Sequence, residues 1–95
     1  MIPLQIPAFE RPEQWTKGSF INLNDDGSYS YCLTEWVSRA FKGEDRTHER
    51  GRAITALVQA AYPIAVFTFN DRQETTFADV QEVIRKANER LAKEV

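Results

Sequence analysis

Sulfur and long apolar runs are both scarce in this chain, and each scarcity excludes a class of protein. The single cysteine, Cys32, cannot form an internal disulfide, which excludes the disulfide framework of a small secreted domain. With one cysteine and one histidine, His48, the chain also lacks the ligands of a structural zinc site. The longest apolar run, residues 62–69, is far shorter than the roughly 20 residues that a membrane helix needs.

An excess of charge of one sign is lacking as well. Twelve Lys and Arg residues stand against 14 Asp and Glu residues, so the formal net charge is −2. The whole molecule therefore has no electrostatic attraction to nucleic acid or to an anionic membrane. No basic segment followed by an apolar core opens the sequence, and we expect a cytoplasmic protein that is not attached to a membrane.

What the sequence does contain is typical of one folded domain. Of its 95 residues, 42% are hydrophobic and 27% are charged. Three prolines among the first dozen residues predict an extended N-terminal arm over residues 1–12, and we expect residues 13–95 to form a single globular domain. Four apolar side chains of the arm could dock on that domain: Ile2, Leu4, Ile6 and Phe9.

Residues 19–31 predict a β-hairpin. The turn would be formed by residues 24–27, Asn-Asp-Asp-Gly, because Asn and Asp tolerate a left-handed φ and Gly adopts it freely. Asn22, Asn24, Asp26 and Gly27 also match the first half of a calcium-binding loop. The twelfth position of such a loop needs a bidentate Glu, and here it is Leu33. The turn is therefore the preferred interpretation, and no metal site is predicted.

The spacing of apolar residues predicts three helices. The three stripes are Leu33, Trp36, Val37, Ala40 and Phe41; Ile54, Leu57, Val58 and Ala61; and Phe77, Val80, Ile84, Ala87 and Leu91. The expected fold is mainly α, a compact three-helix domain with a short N-terminal β-hairpin. The alternative is an α+β fold with a small antiparallel sheet, because residues 64–69 are rich in β-forming side chains but too few to decide between strand and helix.

Polar residues at the ends of these stripes predict how the helices begin. Ser28 or Ser30 is the expected N-cap of the first helix, Thr47 of the second, and Thr76, followed by Asp79, of the third. Residues 42–52 are expected to form a solvated connection. Two Glu-to-Lys pairs are expected to stabilise the third helix: Glu82 with Lys86 and Glu89 with Lys93.

The segment FTFNDRQETTFADVQ, residues 67–81, passes abruptly from apolar residues to Asn70 and Asp71. We interpret both residues as structural, bonding nearby backbone N–H groups before the next helix begins. The alternative is a small thiol-dependent enzyme in which Cys32 is the nucleophile, His48 the base, and Asn70 or Asp71 the orienting partner. Nothing in the sequence brings His48 to Cys32, and a lone cysteine among apolar residues is usually a small core residue. We therefore predict no catalytic residue and no cofactor.

Two kinds of macromolecular partner are considered. Residues 39–52 carry five basic side chains, but three acidic ones are interleaved with them. Such a run is usually a solvated face, so weak nucleic-acid binding through this segment is kept only as an alternative. Eleven aromatic residues are many for a chain of this size, and Trp and Tyr favour interfaces. We predict that Trp15, Tyr29 or Trp36 contacts a protein partner or a second copy of the chain.

Several short motifs resemble those of a domain-of-unknown-function family of small bacterial and phage proteins. The motifs span about residues 13–95: Trp15-x-x-Gly18, Asp26-Gly27, Tyr31-Cys32-Leu33, and Phe69-Asn70-Asp71 followed by Thr76-x-x-x-Val80. The resemblance implies a mostly helical fold and a phage or mobile-element origin, and it brings no catalytic residue. We therefore expect a non-enzymatic, cytoplasmic accessory protein that acts by protein–protein binding.

Overall fold

The structure is a computed structural model and describes residues 3–94 of the chain. Two strands, β1 (Ile21–Leu23) and β2 (Tyr29–Tyr31), precede four helices. The helices are α1 (Leu33–Ala40), α2 (Thr47–Ala61), α3 (Val66–Asp71) and α4 (Phe77–Ala92), and single 3-10 turns lie at Pro12–Gln14 and Glu44–Arg46. The predicted fold, mainly α with a short N-terminal β-hairpin, is confirmed.

The hairpin forms in the predicted place. β1 and β2 pair antiparallel, with Ile21 opposite Tyr31 and Leu23 opposite Tyr29. Gly27 has a φ of +88°, the left-handed conformation that the turn requires and that other residues adopt only with strain. Two strands alone are marginal in water, so this hairpin depends on the rest of the protein for its stability.

The core lies between the long helices, with α2 and α4 as the most extensively packed pair. The predicted stripes of α1 and α4 face this core, where Leu33, Val37 and Ile84 are fully buried. On α2 the buried face is shifted by about one residue from the prediction, because Ala53 and Ala56 are buried while Val58 is exposed. Small alanine side chains on this face suit it to packing closely against another helix.

The described part of the N-terminal arm docks on α4 through two side chains of that helix. Asn88 clamps Ile6: its Oδ1 accepts the Ile6 N–H at 2.7 Å and its Nδ2 donates to the Ile6 carbonyl at 2.9 Å. Gln81 bonds Phe9 in the same way: its Oε1 accepts the Phe9 N–H at 3.1 Å and its Nε2 donates to the Phe9 carbonyl at 2.8 Å. The side chains of Ile6 and Phe9 are both buried. Ile2, the first of the four residues expected to dock, lies outside the described residues.

Two predicted caps are wrong. β2 extends to Tyr31 and contains Ser30, so the N-cap of α1 is Cys32, whose Sγ accepts the N–H of Glu35 at 3.5 Å. Thr47 is the first residue of α2, not its cap, and its hydroxyl donates to the Glu44 carbonyl at 3.0 Å. The expected solvated connection is correspondingly shorter, because α2 already includes residues 47–52.

The start of α4 is as predicted, but its ion pairs are not. Thr76 Oγ1 accepts the Asp79 N–H at 3.2 Å, and Asp79 Oδ2 accepts the Thr76 N–H at 3.0 Å, which completes a capping box. The ion pairs of this helix form around Arg85, which contacts both Glu82 and Glu89. Arg85 lies three residues after one and four before the other, so it can reach both carboxylates.

The apolar run at residues 64–69 leads into a helix, not a strand. In α3, Val66, Phe69 and Asn70 share one face and are buried, whereas Phe67 points to solvent. A strand needs a neighbouring strand to satisfy its backbone groups, and the sheet in residues 3–94 contains only β1 and β2. The helix satisfies these groups internally and turns an i, i+3, i+4 face to the core.

Candidate functional site

Asn70 joins three separate parts of the chain. Its Oδ1 accepts the Trp15 indole N–H at 2.7 Å and the Leu33 backbone N–H at 3.0 Å. Its Nδ2 donates to the Thr16 carbonyl at 3.0 Å and to Asp71 Oδ1 at 2.8 Å. The carboxamide is buried and uses both of its lone pairs and both of its hydrogens, so it has nothing left for a ligand.

The prediction that Asn70 bonds nearby backbone groups is therefore wrong, because its main partners are 37 to 55 residues away in sequence. Asp71 also reaches across the fold and accepts the Gly18 N–H at 2.9 Å. Lys17 donates from its ammonium group to the Arg72 carbonyl at 2.8 Å. Together these bonds fix the segment that leads into β1 against the end of α3.

The hairpin turns its apolar face to solvent. Ile21, Leu23 and Tyr29 lie on one face, and 61% of Leu23 and 52% of Tyr29 are exposed. The opposite face carries Asn22 and Ser30, and Ser30 is buried against the protein. A sheet with one solvated face normally buries its apolar side chains and exposes its polar ones. This hairpin buries Ser30 and exposes Leu23 and Tyr29, while Asn22 is exposed as well.

The apolar face of the hairpin continues onto α1. Tyr31 shares the face of Ile21, and its ring lies 6.0 Å from the ring of Trp36. The guanidinium group of Arg39 lies 5.0 Å from the Tyr31 ring centroid. The exposed strip therefore extends from the tip of the hairpin to the first helix.

An apolar cleft of about 610 Å³ lies between α3 and the segment before β1. Two exposed rings line it, Phe20 and Phe67, with 72% and 69% of their surfaces accessible. Cys32 and Leu33 lie against the same cleft, and Asp71 supplies its one carboxylate. A contiguous exposed apolar area on a small domain is typical of a binding surface.

The three aromatic residues predicted to contact a partner all lie near the hairpin, with different exposures. Tyr29 is half exposed on the apolar face. Trp36 is half buried, and its indole N–H donates to the Pro7 carbonyl at 2.7 Å. Trp15 is also half buried, bonded to Asn70, and lines a depression with Asn22. The two indoles thus connect parts of the fold and expose only part of each ring.

The residues of the thiol-enzyme alternative are not all brought together. Cys32, Asn70 and Asp71 line the apolar cleft, but His48 lies on α2 in a separate depression with Arg52 and Glu94. Burial raises the pKa of the Cys32 thiol, which keeps the sulfur protonated at neutral pH. The cleft therefore contains no imidazole to activate this thiol.

The turn residues that match half of a calcium loop are occupied in closing the hairpin. Asp26 Oδ1 accepts both the backbone N–H and the hydroxyl of Ser28, at 3.0 and 2.6 Å, and these hydrogen bonds lower the pKa of Asp26. Asn24 donates to the Glu13 carbonyl at 3.0 Å. Among residues 3–94, no group of three or more His, Cys, Asp or Glu side chains is arranged to hold a metal ion.

Most basic residues of the 39–52 segment have acceptors within the protein. Arg39 pairs with Glu35, Arg46 with Glu49, and Arg52 with Glu94. Arg50 donates to the Phe41 carbonyl at 2.8 Å. This distribution of charge is typical of a solvated helix surface, where ion pairs contribute little to stability.

Comparison with known proteins gives one match. A family model described as a family of unknown function, DUF6197, matches residues 11–90. Neither the curated proteins nor the solved structures contain a match to the chain. Within the described part of the chain, every helix is too short or too polar to cross a membrane.

Proposed function

Because the chain belongs to DUF6197, a family of unknown function, we propose its function from its own surface: a non-enzymatic accessory protein that binds another protein chain. The binding site combines two exposed apolar patches, Ile21, Leu23 and Tyr29 on the hairpin and Phe20 and Phe67 at the cleft, which together are called the hairpin surface. The observation that supports this proposal is the inverted hairpin. Its Ser30 is buried against the protein, whereas Leu23 and Tyr29 on the other face are exposed to solvent.

These side chains contribute little to the fold in the isolated chain, because they remain in contact with water. Full burial of a large apolar side chain contributes about 1.5–3 kcal/mol. The five side chains are already partly buried in the isolated chain, so together they offset only part of the roughly 4–15 kcal/mol that association costs in lost motion and ordering. Apolar contact with the hairpin surface therefore offsets much of the cost of association, and the affinity of the complex depends on the partner's further contacts.

The predicted aromatic contacts fit this proposal in different roles. Tyr29 is a direct contact at the centre of the exposed face. Trp36, next to Tyr31, and Trp15, at the edge of β2, border the surface and hold its position through their indole hydrogen bonds. Rigid, partly exposed aromatic rings are common at the energetic centres of protein interfaces.

Exposed apolar residues elsewhere provide a comparison. Val58 and Tyr62 are both accessible on the α2 side of the protein. Tyr62 lies in a depression lined mostly by charged residues of α4, including Arg85 and Glu89. Single apolar side chains in a charged setting are ordinary on protein surfaces and are not part of the proposed site.

The proposed setting is the cytoplasm of a bacterium, with a phage or mobile-element origin. A single, buried cysteine fits a reducing compartment, where small proteins do not rely on disulfides. The origin is supported by the sequence resemblance to small bacterial and phage proteins and by nothing else in the fold.

Affinity capture from cells that encode the chain tests this function. The test variant carries Leu23→Ser and Tyr29→Ser, and the matched control carries Val58→Ser and Tyr62→Ser. Each variant replaces one exposed aliphatic residue and one exposed tyrosine. We expect the wild type and the control to retain the same protein, and the hairpin variant to lose it. Equal capture by both variants, or no protein retained by the wild type, would overturn the proposal.

A further inference from the structure

The apolar cleft between α3 and the segment before β1 carries a negative charge that its lining does not balance. Asp71 is the one carboxylate there, and none of the described residues that line the cleft is Lys, Arg or His. The ion pairs within residues 3–94 do not include Asp71. The neighbouring cations have other partners, since Lys17 donates to the Arg72 carbonyl and Arg72 contacts Glu74. Asp71 therefore lines the cleft without a cationic partner.

Hydrogen bonds fix the Asp71 carboxylate and leave one of its oxygens available. Oδ1 accepts the Gly18 N–H at 2.9 Å and a hydrogen of Asn70 Nδ2 at 2.8 Å, whereas Oδ2 accepts none within the described part of the chain. The field of this charge reaches the Cys32 sulfur, where burial and then the charges of Glu35 and Asp71 raise the thiol pKa. A group that enters the cleft meets a fixed, exposed carboxylate, so charge complementarity favours a cation.

The other groups of the cleft favour a planar cation over a spherical one. The exposed rings of Phe20 and Phe67 line it, and Ser19 and Thr34 add hydroxyl oxygens that can accept hydrogen bonds. A guanidinium group stacks on aromatic rings, presents five N–H donors in its plane and is more weakly hydrated than an ammonium group. The lining of the cleft therefore matches arginine better than lysine. Three guanidinium groups already lie 5.0–5.1 Å from ring centroids in this protein: Arg39, Arg46 and Arg72.

We infer that the cleft binds an arginine side chain of the partner chain, whose guanidinium group donates to Asp71 Oδ2 and stacks on Phe20 or Phe67. This inference rests on the proposed function, because the cleft is one of the two patches of the hairpin surface. Its volume of about 610 Å³ lies in the range of ligand pockets and leaves room for an apolar neighbour of that arginine. Because the carboxylate is exposed, the ion pair selects between partner segments more than it adds affinity.

Short peptides titrated into the wild-type chain test this specificity. The probe is acetyl-Leu-Arg-Leu-amide. Its matched control is acetyl-Leu-citrulline-Leu-amide, in which a neutral urea group replaces the guanidinium group at almost the same size and shape. The NMR signals of the Gly18, Phe20 and Phe67 backbone amides report occupancy of the cleft. We expect the arginine peptide to shift these signals and to bind about three- to tenfold more tightly than the citrulline peptide, with a smaller difference at high salt.

Two variants with the same change in net charge locate the cation. Asp71→Asn keeps an oxygen for the Gly18 N–H but removes the charge, so the preference for arginine over citrulline should be lost. Asp25→Asn is the matched control and should keep the preference, because Asp25 is an exposed carboxylate of the hairpin turn outside the cleft. Equal binding of the two peptides to wild type, no shift of the cleft signals at millimolar peptide, or an equal effect of the two variants would overturn the inference.

A small free amine is the other occupant that the titration can identify. Benzylamine carries one cation and one aromatic ring but no peptide chain. We expect it to bind more weakly than the arginine peptide, because it makes no contact beyond the cation and the ring. If benzylamine binds the cleft more tightly than the arginine peptide, the ligand is a free amine and the inference is overturned.

The inference and the proposed function can fail separately. If capture from cells depends on Leu23 and Tyr29 but the cleft shows no preference for arginine, the inference is wrong and the binding function stands. If the cleft prefers arginine but the Leu23→Ser, Tyr29→Ser variant captures the same proteins as its control, the arginine-binding cleft stands and the proposed function is wrong.

Discussion

The Asn70 carboxamide accepts the indole N–H of Trp15 at 2.7 Å, across 55 residues of sequence. This bond ties α3 to the segment that enters the hairpin. The same oxygen accepts the first backbone N–H of α1 at Leu33. One buried side chain thus sets the position of the hairpin relative to two helices, and the exposed apolar surface depends on that position.

Loss of the Asn70 side chain should be among the most destabilising single changes in this protein. Asn70→Ala leaves the Trp15 indole and the Leu33 N–H without acceptors, and each unsatisfied buried donor costs about 1–3 kcal/mol. We expect the free energy of unfolding in urea to fall by about 2–4 kcal/mol. Asp71→Ala is the control and should cost about 1 kcal/mol, because Asp71 is exposed. A smaller loss for Asn70→Ala than for Asp71→Ala would contradict the proposed role of Asn70.

The N-cap of α4 contributes a smaller, local stabilisation. Thr76→Ala removes the acceptor for the Asp79 N–H and should lower the free energy of unfolding by about 1 kcal/mol. Thr76→Ser keeps the hydroxyl and should restore most of that loss. Thermal unfolding of the two variants checks this prediction. An unchanged melting temperature for Thr76→Ala would show that the Thr76 cap does not stabilise the protein.

The same cap makes stability depend on pH. Hydrogen bonds from the backbone and side chain of Thr76 lower the pKa of Asp79 below its usual value of 3.8. A carboxyl group whose pKa is lowered by folding stabilises the protein above its unfolded pKa, and that contribution is lost as the pH falls through the folded pKa. We expect wild type to exceed Asp79→Asn in stability at pH 7 and the difference to shrink as the pH falls below 3.8 and through the lowered pKa of Asp79. If the difference in the free energy of unfolding between wild type and Asp79→Asn stays constant from pH 7 to pH 2, the charge of Asp79 does not contribute to stability.

Cys32 should behave as a core residue that caps a helix. A thiol reagent should modify it slowly in the native protein and quickly in denaturant, because the side chain is buried and its thiol pKa is raised. His48→Ala should leave the native rate unchanged, since His48 lies outside the cleft that contains Cys32. A native thiolate that titrates well below pH 8 would instead support the thiol-enzyme alternative.

Features set by neighbouring residues could be predicted from the sequence. The capping box of Thr76 and Asp79 spans four residues, and the hairpin turn is about as short. The residues within each segment are therefore sufficient to determine its conformation. Asn70 is different, because its partners lie far along the chain and no local pattern identifies them. The apolar run at residues 64–69 is rich in β-forming side chains but leads into α3, because its side chains pack on the core without a neighbouring strand.

The candidate site could be predicted only in part from the sequence, again because it depends on residues that are far apart along the chain. Alternation of Ile21, Asn22 and Leu23 indicates a strand with two different faces. It does not indicate which face meets the protein, because that depends on what lies beneath the hairpin. Ser30 is buried there, and the apolar face is left outside. Tyr29 was identified through its residue type alone, whereas Phe20 and Phe67 are found only from their exposure in the fold.

The most direct test of the binding surface measures affinity and stability in the same variants. The partner captured by the wild type is purified and titrated with the Leu23→Ser, Tyr29→Ser variant and with the Val58→Ser, Tyr62→Ser control. We predict that affinity falls at least about tenfold for the hairpin variant alone, while both unfold within about 0.5 kcal/mol of wild type. Unchanged affinity in the hairpin variant, or an equal loss in the control, would contradict the account.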